Sequence, residues 1–193
     1  MRKIIVFLFV LPLLGAAQNN SGEIHGDFDL SLQTYKEDKS IGALPVDEIM
    51  LNNAYLNILY TKGNFTVGVR YESYLNALKD FDPRYNGNGI PYRFAQYNKD
   101  GLDITAGSFY EQFGSGLILR SYEEKTLGID NAMDGVRLRY RPLKGVNLKT
   151  FIGKERKFFE YSKGIVRGAD AEININDALN LDLNTKAIIG GSV

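Results

Sequence analysis

The chain of 193 residues contains no cysteine, no tryptophan and a single histidine, His25. Without cysteine the chain has no disulfide, no thiolate metal ligand and no thiol nucleophile. One histidine is too few for a multi-histidine metal site or for a Ser-His-Asp triad. The composition therefore predicts a protein without catalytic residues, metal or cofactor, and it identifies no substrate.

An excess of charge of either sign is also missing. The chain has 23 basic and 23 acidic residues, which gives a formal net charge of zero. Sequence-independent binding to nucleic acid needs a strongly basic surface, and an acidic tail needs a run of carboxylates. We expect no nucleic-acid partner.

The one long apolar run, residues 4–14, is shorter than the ~20 residues that a membrane-spanning helix needs. Arg2 and Lys3 precede this run, and Gly15-Ala16-Ala17 follow it, as in a secretory signal peptide with a small-residue cleavage site. We predict a cleaved signal peptide at residues 1–17, with a membrane anchor as the less favoured alternative. Residues 18–25 would then form an N-terminal periplasmic segment.

From residue 26 onward the sequence alternates between apolar and polar side chains with a period of two. This period is typical of β-strands that have one apolar face and one wet face. The apolar positions carry no charge in any segment. The alternating segments are 28–34, 54–60, 65–71, 102–106, 136–140, 148–152, 169–175 and 179–185, and segment 92–98 is strand-like with an ambiguous parity.

Short and long connections alternate along the chain. The short ones, rich in glycine, proline, asparagine and aspartate, are suited to tight hairpins, whereas the long ones are rich in charge, tyrosine and glycine. This plan predicts an all-β fold, an up-and-down antiparallel outer-membrane β-barrel over residues 26–193 with short periplasmic turns and long outer loops. The short connections are 61–64, 98–101, 141–145 and 176–178; the long ones are 36–49, 76–91, 111–134 and 155–167.

The number of strands predicts that the chain is an incomplete, N-terminal part of a larger barrel. Nine segments are counted, whereas bacterial single-chain barrels normally have an even number of strands. Segment 116–122 is a further candidate strand, which would bring the count to ten.

The apolar triplet Leu117-Ile118-Leu119 allows two interpretations that the sequence leaves open. In one, the segment folds back against the barrel wall and presents Arg120, Glu123 and Glu124 near Arg137 and Arg139. In the other, Leu117 and Leu119 extend a strand into the bilayer.

Charged residues at the polar positions of the strands are candidates for lining the barrel lumen. They either form cross-strand ion pairs in a plugged lumen or line a hydrated pore. Ion pairing is favoured because both signs occur and no ring of a single sign emerges. The candidates are Arg70, Glu72, Arg120, Arg137, Arg139, Lys149, Asp170 and Glu172.

The stretch 107–124, GSFYEQFGSGLILRSYEE, followed by LGIDNA at 127–132 and by Gly135-Val136, resembles a family of Bacteroidota outer-membrane proteins of unassigned function. The resemblance extends from about Asp27 to the end of the chain. It implies a β-barrel in a protein longer than this chain, and it implies no reaction.

These patterns together predict a non-enzymatic outer-membrane barrel that acts as a pore for small solutes or as a scaffold in an envelope complex. The expected partners are outer-membrane lipid, the outer-membrane assembly machinery and other envelope proteins. The alternative is an exported soluble β-sandwich that serves as a binding or adhesion module.

Overall fold

Antiparallel β-strands make up most of the regular structure. The computed structural model of the protein describes residues 22–43, 45–79, 81–182 and 184–193, so the predicted signal peptide lies outside the described residues. The strands are β1 Glu23–Gln33, β2 Leu51–Lys62, β3 Phe65–Tyr74, β4 Gly87–Lys99, β5 Leu102–Phe109, β6 Glu123–Glu124, β7 Ile129–Asp130, β8 Met133–Tyr140, β9 Val146–Lys157, β10 Glu160–Tyr161, β11 Val166–Asn174 and β12 Ile188–Ser192.

The main sheet has the order β1-β2-β3-β4-β5-β8-β9-β11-β12, and every neighbouring pair is antiparallel. Strand β10 adds to the end of β9, and β6 and β7 form a separate two-stranded ribbon inside the β5–β8 connection. The prediction of an all-β fold with up-and-down antiparallel strands is therefore confirmed. Within the described residues, β1 and β12 pair on one side only, and they are the two edges of the sheet.

Helical structure is limited to short pieces. A single α-helical turn, α1, covers Ile175–Ala178, and two 3-10 turns cover Pro83–Tyr85 and Lys125–Leu127. No helix in the described ranges is long and apolar enough to cross a membrane.

The predicted strand at 179–185 is wrong, as is the tight hairpin at 176–178. The chain forms α1 after β11, and the final strand is β12 instead. Asn176 is the physical reason, because its buried side chain donates to Thr185 O at 2.9 Å and accepts from Ala187 N at 3.0 Å. These bonds hold the connection as a loop, and the apolar alternation there does not belong to a sheet. Leu183, part of the predicted strand, lies outside the described residues.

The candidate strand at 116–122 is also absent. Gly114 and Gly116 have positive φ angles of 48° and 88°, and Gly116 N donates to Phe113 O at 2.8 Å. The chain therefore turns tightly here, and an isolated bridge between Gln112 and Arg120 closes the loop.

Apart from the last connection, the alternation of short and long connections is confirmed. Strands β2 and β3 are joined by two residues, and so are β4 and β5. In the second turn Asp100 and Gly101 both have positive φ, at 48° and 81°, as the tightest hairpin turns require.

The sheet is apolar on the side that faces away from the rest of the chain and polar on the side that the long connections cover. On the outer side, the cross-strand neighbours Val136 and Ile152 are 49% and 50% exposed. On the inner side, Glu72 and Arg70 are only 1% and 5% exposed. This polarity is the reverse of that of a sheet in a water-soluble protein.

Three glycines lie side by side across the sheet and permit it to bend. Gly107 on β5 pairs with Gly135 on β8, which pairs with Gly153 on β9. A Cβ on Gly135 would lie 2.0 Å from Ile152 O, so the backbones approach too closely for any side chain. Glycine in a strand interior commonly marks such a bend. The polar side is concave, and side chains of β3 and β9 meet across it although three strands separate them in the sheet.

Candidate functional site on the polar face

Five charged side chains form one buried cluster at the long-connection end of the polar face. We call it the arginine network: Arg70 and Glu72 on β3, Arg156 on β9, Glu123 on β6 and Asp130 on β7. It joins two distant strands of the sheet to the ribbon in the β5–β8 connection.

Each arginine contacts two or more carboxylates. Arg156 donates from Nη2 to Glu72 Oε2 at 2.6 Å and from Nη1 to Asp130 Oδ2 at 2.5 Å. Arg70 donates to Glu123 Oε1 at 2.7 Å and to Asp130 Oδ2 at 2.5 Å. Arg70 Nε also lies 2.7 Å from Glu72 Oε1, as an ion pair without an aligned hydrogen bond. The network thus combines two guanidinium groups with three carboxylates.

Burial makes these charges dependent on one another. The side chains of Arg156 and Glu72 are each 1% exposed, and that of Asp130 is 8% exposed. Glu123 is the most accessible member at 23%, and burial together with the Asp130 carboxylate raises its pKa while Arg70 opposes the rise. Loss of one partner would leave a charge buried without compensation.

Tyrosines enclose the network. Tyr74 OH donates to Glu72 Oε2 at 3.0 Å, and Tyr110 OH donates to Asp130 Oδ1 at 3.0 Å. Tyr85 OH donates to Gly128 O at 2.9 Å, and burial raises the pKa of Tyr85 to about 12. Tyr55 and Tyr74 pack edge to face, with ring centroids 5.8 Å apart. These rings keep water away from the ion pairs and fix the β5–β8 connection onto the sheet.

A second set of ion pairs lies nearer the short-turn end. Glu111 is 2% exposed and accepts from Arg139 Nε at 2.7 Å, while Arg137 Nε lies 3.9 Å from the same carboxylate. Arg137 also donates to Asp103 Oδ1 at 3.3 Å. Lys149 donates to Gln112 O at 2.9 Å. Residues 110–132, which we call the inner segment, are therefore tied to the polar face at residues 110–112 and again at Glu123 and Asp130.

Lys149 continues this pattern toward the last strands. Its Nζ lies 3.4 Å from Asp170 Oδ2 and 3.7 Å from Glu172 Oε2. Asp170 is almost fully buried and accepts from Ser192 Oγ of β12 at 2.6 Å. The lysine thus contacts both carboxylates of β11 and offsets one of their two negative charges.

A cavity of about 510 Å³ lies beside this second set. The inner segment forms one wall, and the strands that leave the short turns form the other. The charged part of the lining consists of two carboxylates and three cations: Asp103, Glu111, Arg139, Arg141 and Lys149. No group of three or more histidine and acidic side chains in the described ranges is arranged to hold a metal ion.

The sequence pattern that defines DUF6029, a family of unknown function, matches residues 1–193. The chain belongs to the DUF6029 family. A search of the curated proteins finds no match to it.

Seven of the eight candidate residues lie on the polar face of this DUF6029 chain. Arg70, Glu72, Arg137 and Asp170 are buried there, and Arg139, Lys149 and Glu172 are partly exposed. Arg120 differs, because its side chain is exposed and lies over the ring of Tyr122, with 4.9 Å from Cζ to the centroid. The structure thus brings Arg70 together with Glu72, and Lys149 together with Asp170 and Glu172.

The sequence left two interpretations of Leu117-Ile118-Leu119 open, a folded-back segment and a lipid-facing strand. The lipid-facing strand is wrong, because no strand forms there. A folded-back segment is present, but Glu123 contacts Arg70, and Glu124 accepts from Thr126 N and Oγ1 within its own turn. The acidic residue that contacts Arg137 and Arg139 is Glu111, and neither Glu123 nor Glu124 does so.

Three essential members of the site were missed by the sequence analysis: Arg156, Asp130 and Glu111. Strict alternation on β9 places Arg156 with Ile152 and Lys154 on the outer side, yet it is buried. Asp130 and Glu111 lie in a long connection, where no period indicates an inward side chain. The one signal in the sequence was the family resemblance, because Glu111 and Asp130 lie in the stretches 107–124 and 127–132 on which that resemblance rests.

Proposed function

We propose that this DUF6029 chain is a transmembrane part of an outer-membrane β-barrel whose interior is filled by its own connections, and that it acts as a non-enzymatic scaffold in the cell envelope. The observation that carries the proposal is the reversed polarity of the sheet. The signal-peptide pattern at residues 1–17 and the resemblance to Bacteroidota outer-membrane proteins agree with it.

The outer side offers a continuous apolar surface. Cross-strand neighbours on it include Phe28 with Leu56 and Ile58 with Val69, and all four are between 37% and 64% exposed. Soluble monomers rarely expose contiguous apolar patches larger than a few hundred Å². A bilayer removes this cost, and a closed β-barrel, of which this sheet would form a part, is one of the two structures that cross a bilayer.

The main strands follow one another in a single sheet, which argues against the β-sandwich alternative. A sandwich buries its apolar faces between two packed sheets. Here the only other ribbon in the described residues, β6–β7, lies on the polar side and leaves the apolar side uncovered.

The filled interior favours a scaffold over a pore. The arginine network spans the concave side from β3 to β9, and the inner segment lies between them. Glu72 and Arg156 are fully engaged with each other and nearly inaccessible, so they do not present their charges to passing solutes.

Charge substitution tests the membrane assignment. Val136→Arg places a charge in the middle of β8 on the apolar side, and Leu127→Arg, at a residue 68% exposed in the long connection, is the matched control. Near the midplane of a bilayer an arginine costs ~2–4 kcal/mol, whereas in water it costs little at either position. We expect Val136→Arg to lower the amount of full-length protein recovered in the outer membrane with heat-modifiable migration. Equal, soluble recovery of both variants would overturn the assignment.

Conductance separates the scaffold from the pore. We expect the purified full-length protein to give no discrete current steps in planar bilayers. Reproducible single-channel steps would establish a pore and refute the scaffold role while leaving the barrel intact.

A further inference from the structure

Another cavity lies on the polar face, between the inner segment and the last two strands of the sheet. We call it the β12 cavity. Residues between 113 and 118 of the inner segment form one wall, and residues of β11 and β12 form the other. Its volume of about 360 Å³ lies in the range of about 300–1,000 Å³ that is usual for small-molecule sites.

The charged part of the lining is entirely acidic. Asp170 and Glu172 of β11 are its two charged members. Lys149, which is not part of the lining, lies 3.4 Å from Asp170 Oδ2 and 3.7 Å from Glu172 Oε2, and no other described cation forms an ion pair with either carboxylate. One of the two negative charges therefore has no counterion, and a partly buried charge of this kind is costly. A ligand with a single positive charge would offset it.

The hydrogen bonding of Asp170 is also incomplete. Its side chain is 1% exposed, and Oδ1 accepts from Ser192 Oγ at 2.6 Å, whereas the buried Oδ2 accepts no hydrogen bond from any described residue. Lys149 lies between the two carboxylates and makes an aligned hydrogen bond to neither, because its bond goes to Gln112 O. Buried polar atoms nearly always have a partner. A cation on Glu172 would leave Lys149 to serve Asp170 alone.

Glu172 is the carboxylate that a ligand can reach. Its side chain is 29% exposed, in contrast to that of Asp170. Its partner across β12 is Gly190, which has no side chain to cover it, and a Cβ there would lie 3.2 Å from Glu172 Cγ. An ammonium group has three N–H donors and hydrogen-bonds strongly to a carboxylate.

The opposite wall of the β12 cavity is apolar. Leu117 and Ile118 are 93% and 69% exposed, although they lie on the polar side of the sheet. Phe113 also lines the cavity, and its packing against Phe109 and Phe151 in a buried cluster holds it in place. A carboxylate on one wall and apolar side chains on the other suit a ligand with one cationic end and one apolar end.

We propose that the β12 cavity binds a small organic cation, an ammonium group on an apolar body, with the ammonium group on Glu172 and the apolar body against Leu117 and Ile118. The inference goes beyond the scaffold role and does not depend on it. Binding is measured on the purified full-length chain, in detergent or without it, and needs neither conductance nor membrane insertion.

A matched set of ligands tests the class of molecule. Benzylamine, benzyl alcohol and benzoate share one ring and are positive, neutral and negative at neutral pH, and methylammonium has the charge without the ring. We expect NMR titrations to show benzylamine binding at least about tenfold more tightly than each of the other three, since a hydrogen bond to a charged group contributes that much. Benzyl alcohol, benzoate or methylammonium binding as tightly as benzylamine, or no binding of benzylamine at millimolar concentration, would overturn the proposal.

Substitution of one glutamate tests the location. Glu172→Gln removes the charge that has no counterion, and Glu160→Gln removes the charge of an exposed glutamate on β10, outside the cavity. We expect Glu172→Gln to weaken benzylamine binding by about tenfold and to leave benzyl alcohol binding unchanged, and Glu160→Gln to change neither. An unchanged urea midpoint shows that Glu172→Gln is folded. Equal benzylamine affinities for the two folded variants would show that the amine does not bind at Glu172.

Discussion

The two ends of the polar face use the same residue types in different surroundings. At the long-connection end, Arg156 and Glu72 are each 1% exposed and enclosed by tyrosines. At the short-turn end, Arg139 is 39% and Lys149 is 19% exposed beside an open cavity. The strands have the same alternation at both ends, so the difference comes from the connections. The β3–β4 and β5–β8 connections fold over the arginine network and exclude water, whereas the short turns are too short to cover the other end.

Breaking the arginine network should have the largest effect of any substitution that tests this contrast. Arg156→Met removes one of the two arginines that contact the buried Glu72, and removal of one member of a buried ion pair typically costs about 3–5 kcal/mol. We expect a loss of this size in the free energy of unfolding, measured by urea titration of the refolded chain in detergent. Lys39→Met removes a highly exposed member of an ion pair and should give no measurable change. Similar stabilities for the two variants would mean that the long-connection end is hydrated.

The bend of the sheet provides the second test. Gly135→Ala places a methyl group 2.0 Å from Ile152 O, and relief of such a clash should cost about 1–3 kcal/mol. Gly191→Ala on β12 is the control, because a Cβ there meets nothing within 4 Å. We expect only Gly135→Ala to lower the urea midpoint. An unchanged midpoint would show that the sheet can relax at the glycine row.

The inner segment itself provides the third test. Leu119 packs on the buried cluster of Phe109, Phe113, Met133 and Phe151, whereas Leu117 is 93% exposed. Leu119→Ala should cost about 1–2 kcal/mol, below the usual range for a fully buried leucine because this side chain is only partly covered. Leu117→Ala should be neutral by the same titration. A larger effect at Leu117 would place it in a contact beyond the described residues.

The smallest expected effect is a difference in pH dependence between two neighbouring glutamates. Burial raises the pKa of Glu123 above its ordinary value of 4.5, whereas a hydrogen bond from the Thr126 side chain lowers the pKa of Glu124. A raised carboxyl pKa means that the folded state holds the proton more tightly, so stability falls as pH rises from 4.5 through the raised pKa. A lowered pKa has the opposite sign, and that stability is lost as pH falls from 4.5 through the lowered pKa.

Urea titrations across this acidic range should resolve the two signs. Glu123→Gln is expected to remove the loss of stability that occurs as pH rises above 4.5, and Glu124→Gln to remove the loss that occurs as pH falls below 4.5. Identical pH profiles for the two variants would contradict the burial of Glu123 against Arg70.

Strand positions were predictable from the sequence because a half-exposed strand repeats every two residues. The segments around Val69, Val136 and Ile152 show this period clearly, and all three lie on the exposed apolar side. The same rule failed at 179–185, where Asn176 holds a loop through its side chain. A period in the sequence does not reveal such a side-chain contact.

Only three of the ten ion pairs of the site join two residues that the sequence singled out. Arg70 and Glu72 share one face of one strand, so their proximity follows from alternation. The contacts from Glu123 and Asp130 depend on the path of a long connection, which side-chain packing decides. Arg156 departs from the parity of β9, and its partner Glu72 lies 84 residues earlier.

That separation of 84 residues has a consequence for the order of folding. Hairpins between neighbouring strands close short loops, whereas a contact over such a distance must first overcome a large loss of chain entropy. The strand pairings that connect β3 to β9 through β4, β5 and β8 already cost most of this chain entropy. Glu72 and Arg156 can meet only after these strands have paired. We therefore expect this ion pair to form after the hairpins, so that it contributes little to the folding rate and mainly slows unfolding.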